Sequence, residues 1–263
     1  MTMKLSAPLL SLALAAVALS GCDKKKADPA APQTGSVSIA LENVVGPNLL
    51  KLSTSPTVYD YATASNEQFN VSHFHYFVSN IKLRRADGTE YAEPESYHLV
   101  EESAPDSKTF VLKDVPVGEY TGLSFLVGVD AARNTSGAQQ GALAPSTDTF
   151  WNWTTGYIFV KMEGYSPQAP GSHAMQFHIG GFADPNNALR TVAPALPAGT
   201  TVQVRQDYAP EVHLKADLLR MFTGPNPVSF ATFASPHMPG ANAVKVADNY
   251  AAGMFEVEYV QNK

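Results

Sequence analysis

The sequence is rich in side chains that can donate to a metal ion, namely the imidazoles of histidine and the thioethers of methionine. The 263 residues include seven histidines and seven methionines, but a single cysteine. Imidazole and thioether groups suit copper, and imidazole also suits zinc. The sequence has no Gly-x-Ser-x-Gly elbow, phosphate-binding glycine loop, His-Glu-x-x-His motif or cysteine pair. The donors therefore favour metal binding over hydrolysis.

Three histidines, His98, His178 and His213, lie within apolar runs that predict largely buried strands. A single histidine of this kind is more often a hydrogen-bonded core residue than a ligand. Three in one β-domain favour a shared site, because a sandwich can bring separate strands together at one rim. His73 and His75 also share one face of a strand, about 7 Å apart along the chain. We interpret that pair as partly exposed strand residues outside the metal site.

Trp151 and Trp153 form a Trp-Asn-Trp motif. At positions i and i+2 of an extended segment, both indoles lie on the same face. The pair is compatible with a core aromatic cluster, a stacking platform for carbohydrate, or an oxidisable, electron-rich group. The residues alone do not choose among these interpretations.

Short apolar runs of period two, separated by turn residues, must position these side chains. About ten such runs lie between residues 36 and 260, which predicts an all-β fold, a single antiparallel β-sandwich. We expect one helical turn at residues 218–222. Segments 130–153 and 235–253 show little hydrophobic periodicity. We expect them to be long loops that fold over one end of the sandwich and form the functional site.

The N-terminal residues predict export and lipidation. Residues 5–20 are apolar or small, a run shorter than the roughly 20 residues needed to span a bilayer. Leu19-Ser20-Gly21-Cys22 resembles the lipobox of bacterial lipoproteins. We therefore expect residues 1–21 to be a signal peptide and Cys22 to be the lipidated mature N-terminus.

Residues 22–34 would then be the lipidated cysteine and a flexible tether, charged and rich in proline and alanine. Residues 35–263 would form one domain without free thiols, anchored to a membrane in the periplasm. Asp23 slightly favours the inner membrane. The formal net charge of −6 excludes nucleic acid as a partner, and the acidic stretch 87–106 is interpreted as a solvated face.

Several motifs occur in a characteristic order between residues 35 and 260. They include Phe77-Val78-Ser79-Asn80, Ser96-Tyr97-His98-Leu99-Val100, Phe150-Trp151-Asn152-Trp153, His178-Ile179-Gly180-Gly181 and Met238-Pro239-Gly240-Ala241-Asn242-Ala243. Their order resembles the MbnP family of periplasmic copper-binding proteins. Members of that family are encoded beside MbnH, a diheme MauG-like peroxidase, which converts a tryptophan of its partner to kynurenine.

The resemblance implies that Trp151 or Trp153 is the oxidised residue. It implies His98, His178 and His213 as the copper ligands, and a diheme MauG-like peroxidase as the partner. A kynurenine beside imidazoles would favour copper over hard ions.

We therefore expect a non-enzymatic, lipid-anchored periplasmic copper-binding protein that acts in copper acquisition or homeostasis. One alternative is a surface lipoprotein that binds carbohydrate or another ligand and uses Trp151 and Trp153 as a stacking platform. The other is a purely structural lipoprotein domain.

Overall fold

A computed structural model of the protein describes residues 32–145, 148–152 and 154–263. The strands are β1 (Thr34–Val45), β2 (Asn48–Leu49), β3 (Tyr61–Ala62), β4 (Gln68–Phe69), β5 (His73–Arg84), β6 (Glu90–Ala92), β7 (Tyr97–Glu101), β8 (Thr109–Pro116), β9 (Gly118–Tyr120), β10 (Gly122–Val127), β11 (Phe150–Asn152), β12 (Gly156–Tyr165), β13 (Ala174–Gly180), β14 (Arg190–Val192), β15 (Val202–Val204), β16 (Glu211–Asp217) and β17 (Phe255–Gln261). The helices are α1 (Ala131–Asn134) and α2 (Ala241–Ala251), with 3-10 turns at Pro105–Lys108, Gly141–Leu143 and Leu218–Met221.

The five-stranded sheet contains the strands that begin and end the described domain. Its order is β17-β16-β1-β2, and β8 also pairs with β1. Along β1, the buried residues Val37, Ile39 and Leu41 alternate with half-buried ones, as a strand with one face on the core requires. The sheet differs from the antiparallel prediction at one pair, because β1 and β16 run parallel. The 3-10 turn at Leu218–Met221 confirms the predicted helical turn.

The eight-stranded sheet is built around β5. Its order is β11-β12-β5-β10-β14, with β13 on β12 and with β6 and β7 on β5. The two sheets pack face to face through aromatic residues. The ring of Phe255 lies 5.5 Å from that of Tyr76 and 5.1 Å from that of Phe125. The Tyr76 hydroxyl crosses the interface and donates to Asn43 Oδ1 at 2.8 Å. The all-β sandwich prediction is confirmed.

Helix α2 lies inside a segment for which the sequence predicts a loop. That prediction is wrong for Ala241–Ala251. Ala243, Val246, Ala247 and Tyr250 are all buried, and their i, i+3, i+4, i+7 spacing is that of one apolar helical face. The Tyr250 hydroxyl donates to the carbonyl of Ala188 at 2.9 Å. The helix packs against β13, β14 and the 3-10 turn at Leu218–Met221.

Asn134, Leu143 and Phe150, which lie between β10 and β12, pack on part of the outer face of the eight-stranded sheet, the face turned away from the five-stranded sheet. The Phe77 ring packs edge-on against Tyr157, which also contacts Phe150. The buried Asn134 side chain ties α1 to β12, because its Oδ1 accepts from the backbone NH of Tyr157 at 2.9 Å. Phe77 and Tyr157 on this outer face are therefore shielded from solvent. Within the described ranges, no helix has the length and apolar character needed to cross a membrane.

Candidate metal centre

Strand register places three basic side chains in one row on the outer face of the eight-stranded sheet. Lys161 of β12 pairs with His75 of β5 on one side and with His178 of β13 on the other. Directly paired residues of neighbouring strands lie on the same face. In the next row, Glu163 pairs with His73. We call His73, His75, Lys161, Glu163 and His178 the β5–β12–β13 site.

His73 and His75 contact each other directly. Their ring centroids are 4.7 Å apart and nearly perpendicular, and Nε2 of His73 is 2.9 Å from Nδ1 of His75. The expectation that both are partly exposed is wrong for His75, which is 1% exposed, whereas His73 is half-buried. Lys161 and Asp148, both distant from His75 in sequence, lie close enough to affect its pKa, so the local pattern of β5 does not reveal this environment.

The remaining nitrogen of His75 is available as a ligand. Nε2 is buried and has no hydrogen-bond partner among the described residues, which is unusual for a buried polar atom. Burial, and then the nearby charge of His73, lower the pKa of His75 to about 3. The imidazole is therefore neutral at any pH near 7, the form that binds a metal ion.

Lys161 brings a buried positive charge into the same row. Its side chain is 7% exposed and forms ion pairs with Asp148 and, at 3.6 Å, with Glu163. The hydrogen bond from Lys161 lowers the pKa of Asp148 below its usual value. His178 Nε2 donates to Glu163 Oε1 at 2.7 Å, and burial lowers the pKa of His178. Asp148 thus joins the site from the covering segment.

Trp151 lies beside this row. Its ring packs on Gly180, so a Cβ added at that glycine would come within 2.7 Å of Cζ3 of the indole. Gly180 is two residues after His178 on β13, so the Cβ direction of Gly180 and the His178 side chain share a face. The indole therefore lies on the face that carries His178. Next to Trp151, Asn152 Oδ1 accepts from the backbone NH groups of Thr154 and Thr155 at 2.9 and 2.8 Å.

The other predicted histidines lie elsewhere. His98 of β7 is paired with Val78 of β5. Val78 is three positions after His75 on β5, so the two side chains face opposite sides of the sheet. His98 therefore faces away from the side that carries His75. It contacts Glu93 at 2.9 Å and stacks on Phe110. His213 of β16 belongs to the five-stranded sheet.

The structure does not bring His98, His178 and His213 together. All three are half-buried rather than largely buried as predicted. In the described residues, the one group of three potential ligand atoms within 4.8 Å of one another belongs to Glu42, His213 and Glu258. Cys22 and Trp153 lie outside the described residues, so their predicted roles stay predictions.

Comparisons with known proteins agree on one family. The MbnP family model matches residues 34–239. The structure is similar to that of MbnP from Methylosinus trichosporium, with a TM-score of 0.50 and 15% identity, covering 81% of this chain and 87% of that one. This likeness shows a shared fold. No curated protein sequence matches the chain. Because the family model covers most of the sequence, the chain belongs to the MbnP family of copper-related proteins.

Proposed function

We propose that the protein is a lipid-anchored periplasmic copper-binding protein of copper acquisition or homeostasis, and that a diheme MauG-like peroxidase oxidises Trp151 to kynurenine. The observation that carries this proposal is the position of the Trp151 indole. It lies on the sheet face of His178. His178 shares a row with His75, whose buried Nε2 has no hydrogen-bond partner among the described residues. An oxidisable ring and neutral nitrogen donors thus share one surface.

Copper would bind Nε2 of His75, and His178 of the same row would approach it on binding, because the ligand atoms of these histidines do not form a compact group in the described structure. The donor chemistry fits, because imidazole nitrogen suits copper and His75 is neutral without a metal having to displace a proton. His73 holds the other nitrogen of His75, and such an outer contact fixes the orientation of a ligand ring. The family-implied ligands His98 and His213 are not included, because they face other surfaces.

Kynurenine at position 151 would add an arylamine and a ketone to this donor set. Its formation adds oxygen to C2 and C3 of the indole, opens the bond between them, and releases C2 as formate by hydrolysis. The peroxidase would supply the oxidising equivalents from hydrogen peroxide. Trp151 is half-buried, so we expect the electrons to leave through a protein–protein contact rather than by entry of the indole into a heme pocket.

The proposed location rests on the N-terminal residues. The apolar run and the Leu19-Ser20-Gly21-Cys22 motif support export and lipidation. The proposed lipid on Cys22 would remove the only thiol of the chain, so imidazoles and an oxidised indole would provide the donors for copper. Asp23 after the lipidated cysteine favours retention at the inner membrane.

The test is peptide mass spectrometry of the exported full-length protein, produced with and without a diheme MauG-like peroxidase. We expect oxidation of Trp151 only in the presence of the peroxidase, together with bound copper. Trp153→Phe is the matched control and should still be oxidised at position 151. Trp151→Phe should lose both the modification and the copper.

Two outcomes would overturn the proposal. Oxidation confined to Trp153 would show that the indole on Gly180 is not the target. An unmodified protein that binds a glycan and no copper would instead support the carbohydrate-binding alternative.

A further inference from the structure

A second set of metal-ligand side chains lies on the outer face of the five-stranded sheet. Glu42 of β1, His213 of β16 and Glu258 of β17 each offer one ligand atom, all within 4.8 Å of one another. Nε2 of His213 is 3.7 Å from Oε2 of Glu258. These three residues come from three adjacent strands and are named here the β1–β16–β17 site.

The strand pattern explains why these side chains meet. On β1 and β16, Leu41, Val212 and Leu214 face the core, so Glu42 and His213 point outward. The register between β16 and β17 shifts after His213. His213 pairs with Tyr259, whereas the next residue, Leu214, pairs with Val257. Glu258 is the extra residue of this β-bulge. Bulges re-aim side chains in this way and are frequent beside functional sites.

The imidazole of His213 is held in a fixed orientation. The Tyr259 ring stacks on it at 4.6 Å, and the Tyr259 hydroxyl is 3.0 Å from Nδ1. The hydrogen bond to Nδ1 leaves Nε2 facing Glu258. A hydrogen bond to the second ring nitrogen is the usual way in which a protein orients a metal-binding histidine.

A positive charge already lies at this site. Lys215 forms an ion pair with Glu258. Three carboxylates, those of Glu42, Glu256 and Glu258, lie around this single lysine, so the surface attracts cations.

We infer that Glu42, His213 and Glu258 form a second metal site, which binds a borderline divalent cation of the zinc class. One imidazole nitrogen and two carboxylate oxygens are donors that zinc accepts, with a fourth position left for water. Two hard carboxylates make the site unsuitable for monovalent copper. The site lies in the other sheet from His75, so this inference does not depend on the proposed copper centre.

The test is a titration of the metal-free full-length protein with Zn²⁺ as the only metal. The protein carries His75→Ala, so that the β5–β12–β13 site does not contribute to zinc binding. We expect one zinc per protein in this background. His213→Ala and Glu258→Gln should each weaken zinc binding by at least about tenfold. Lys215→Gln should tighten it by about tenfold, because a competing positive charge is removed.

His98→Ala is the matched control, since His98 also contacts a glutamate but lies in the other sheet. It should leave the zinc affinity unchanged, and circular dichroism should show that each variant is folded. Absence of zinc binding, or equal affinity after His213→Ala, would overturn the inference. Copper stoichiometry should be unaffected by His213→Ala, so failure of this site and failure of the copper centre are distinguishable.

Discussion

The indole of Trp151 lies against Gly180, where an added Cβ would come within 2.7 Å of the ring and 2.5 Å of the Tyr157 carbonyl oxygen. The glycine is therefore required for the indole to reach the sheet face that carries His178. Its φ is not in the left-handed region, so close approach, rather than backbone conformation, is what demands glycine here.

Gly180→Ala should displace Trp151 and lower both its oxidation and the amount of bound copper. Overpacking of this kind typically costs about 1–3 kcal/mol in the free energy of unfolding. Gly253→Ala is the matched control, because a Cβ there meets nothing within 4 Å. Urea unfolding and copper analysis of both variants check the prediction. A Gly180→Ala protein with full stability and full copper content would contradict it.

Lys161→Met should raise the pKa of Asp148, because the hydrogen bond from Lys161 is the main cause of its lowered value. It should also tighten copper binding by about tenfold, since a like charge is removed from the row between His75 and His178. Carboxyl titration by NMR and a competition assay with a copper chelator measure the two effects. Weaker copper binding would instead indicate that Lys161 is needed to hold the ligands in place.

The metal-free protein should lose stability as the pH falls from 6.5 towards 3. The pKa of His75 is about 3 in the folded protein, owing to burial and to the charges of His73, Lys161 and His178, which outweigh that of Asp148. The unfolded chain takes up the proton at about 6.5, so it binds more protons within this window and stability rises with pH.

The expected slope from this single group is about 1.4 kcal/mol per pH unit. Unfolding of the wild type and of His75→Gln, measured at several pH values, isolates the contribution. Equal slopes for the two proteins would show that His75 titrates normally.

Asn134→Ala should loosen the segment that covers the outer face. The Asn134 side chain is 1% exposed, and it accepts from the Tyr157 NH and donates to the Asp130 carbonyl at 3.0 Å. Loss of this buried amide removes the acceptor of the Tyr157 backbone NH, which costs about 1–3 kcal/mol. Hydrogen exchange at the Tyr157 amide should become faster, whereas exchange in β16 should stay the same. Unchanged protection at Tyr157 would contradict this role.

The β-sandwich could be predicted because alternation along single strands is a local signal. Helix α2 was also predictable in principle, since Ala243, Val246 and Ala247 carry a helical period within their own segment. The glycines and prolines on either side obscure this spacing.

The site was less predictable, because it depends on register between strands far apart in sequence. His75, Lys161 and His178 share a row only through the pairing of β5, β12 and β13, which includes a register shift between Ile158 and Val160. No local pattern marks Lys161 as a neighbour of two histidines. His98 fits the same strand pattern as His178, yet faces the opposite side of the sheet, so composition and alternation could not separate the two.

The most direct test of the proposed copper centre is the copper stoichiometry of His75→Ala beside that of His98→Ala, each produced with the diheme peroxidase. Trp151 should be checked for oxidation in both, so that a missing modification is not mistaken for a missing ligand. We predict that His75→Ala loses its copper while His98→Ala retains it. Full copper in His75→Ala, or loss of copper only in His98→Ala, would contradict a centre built on β5, β12 and β13.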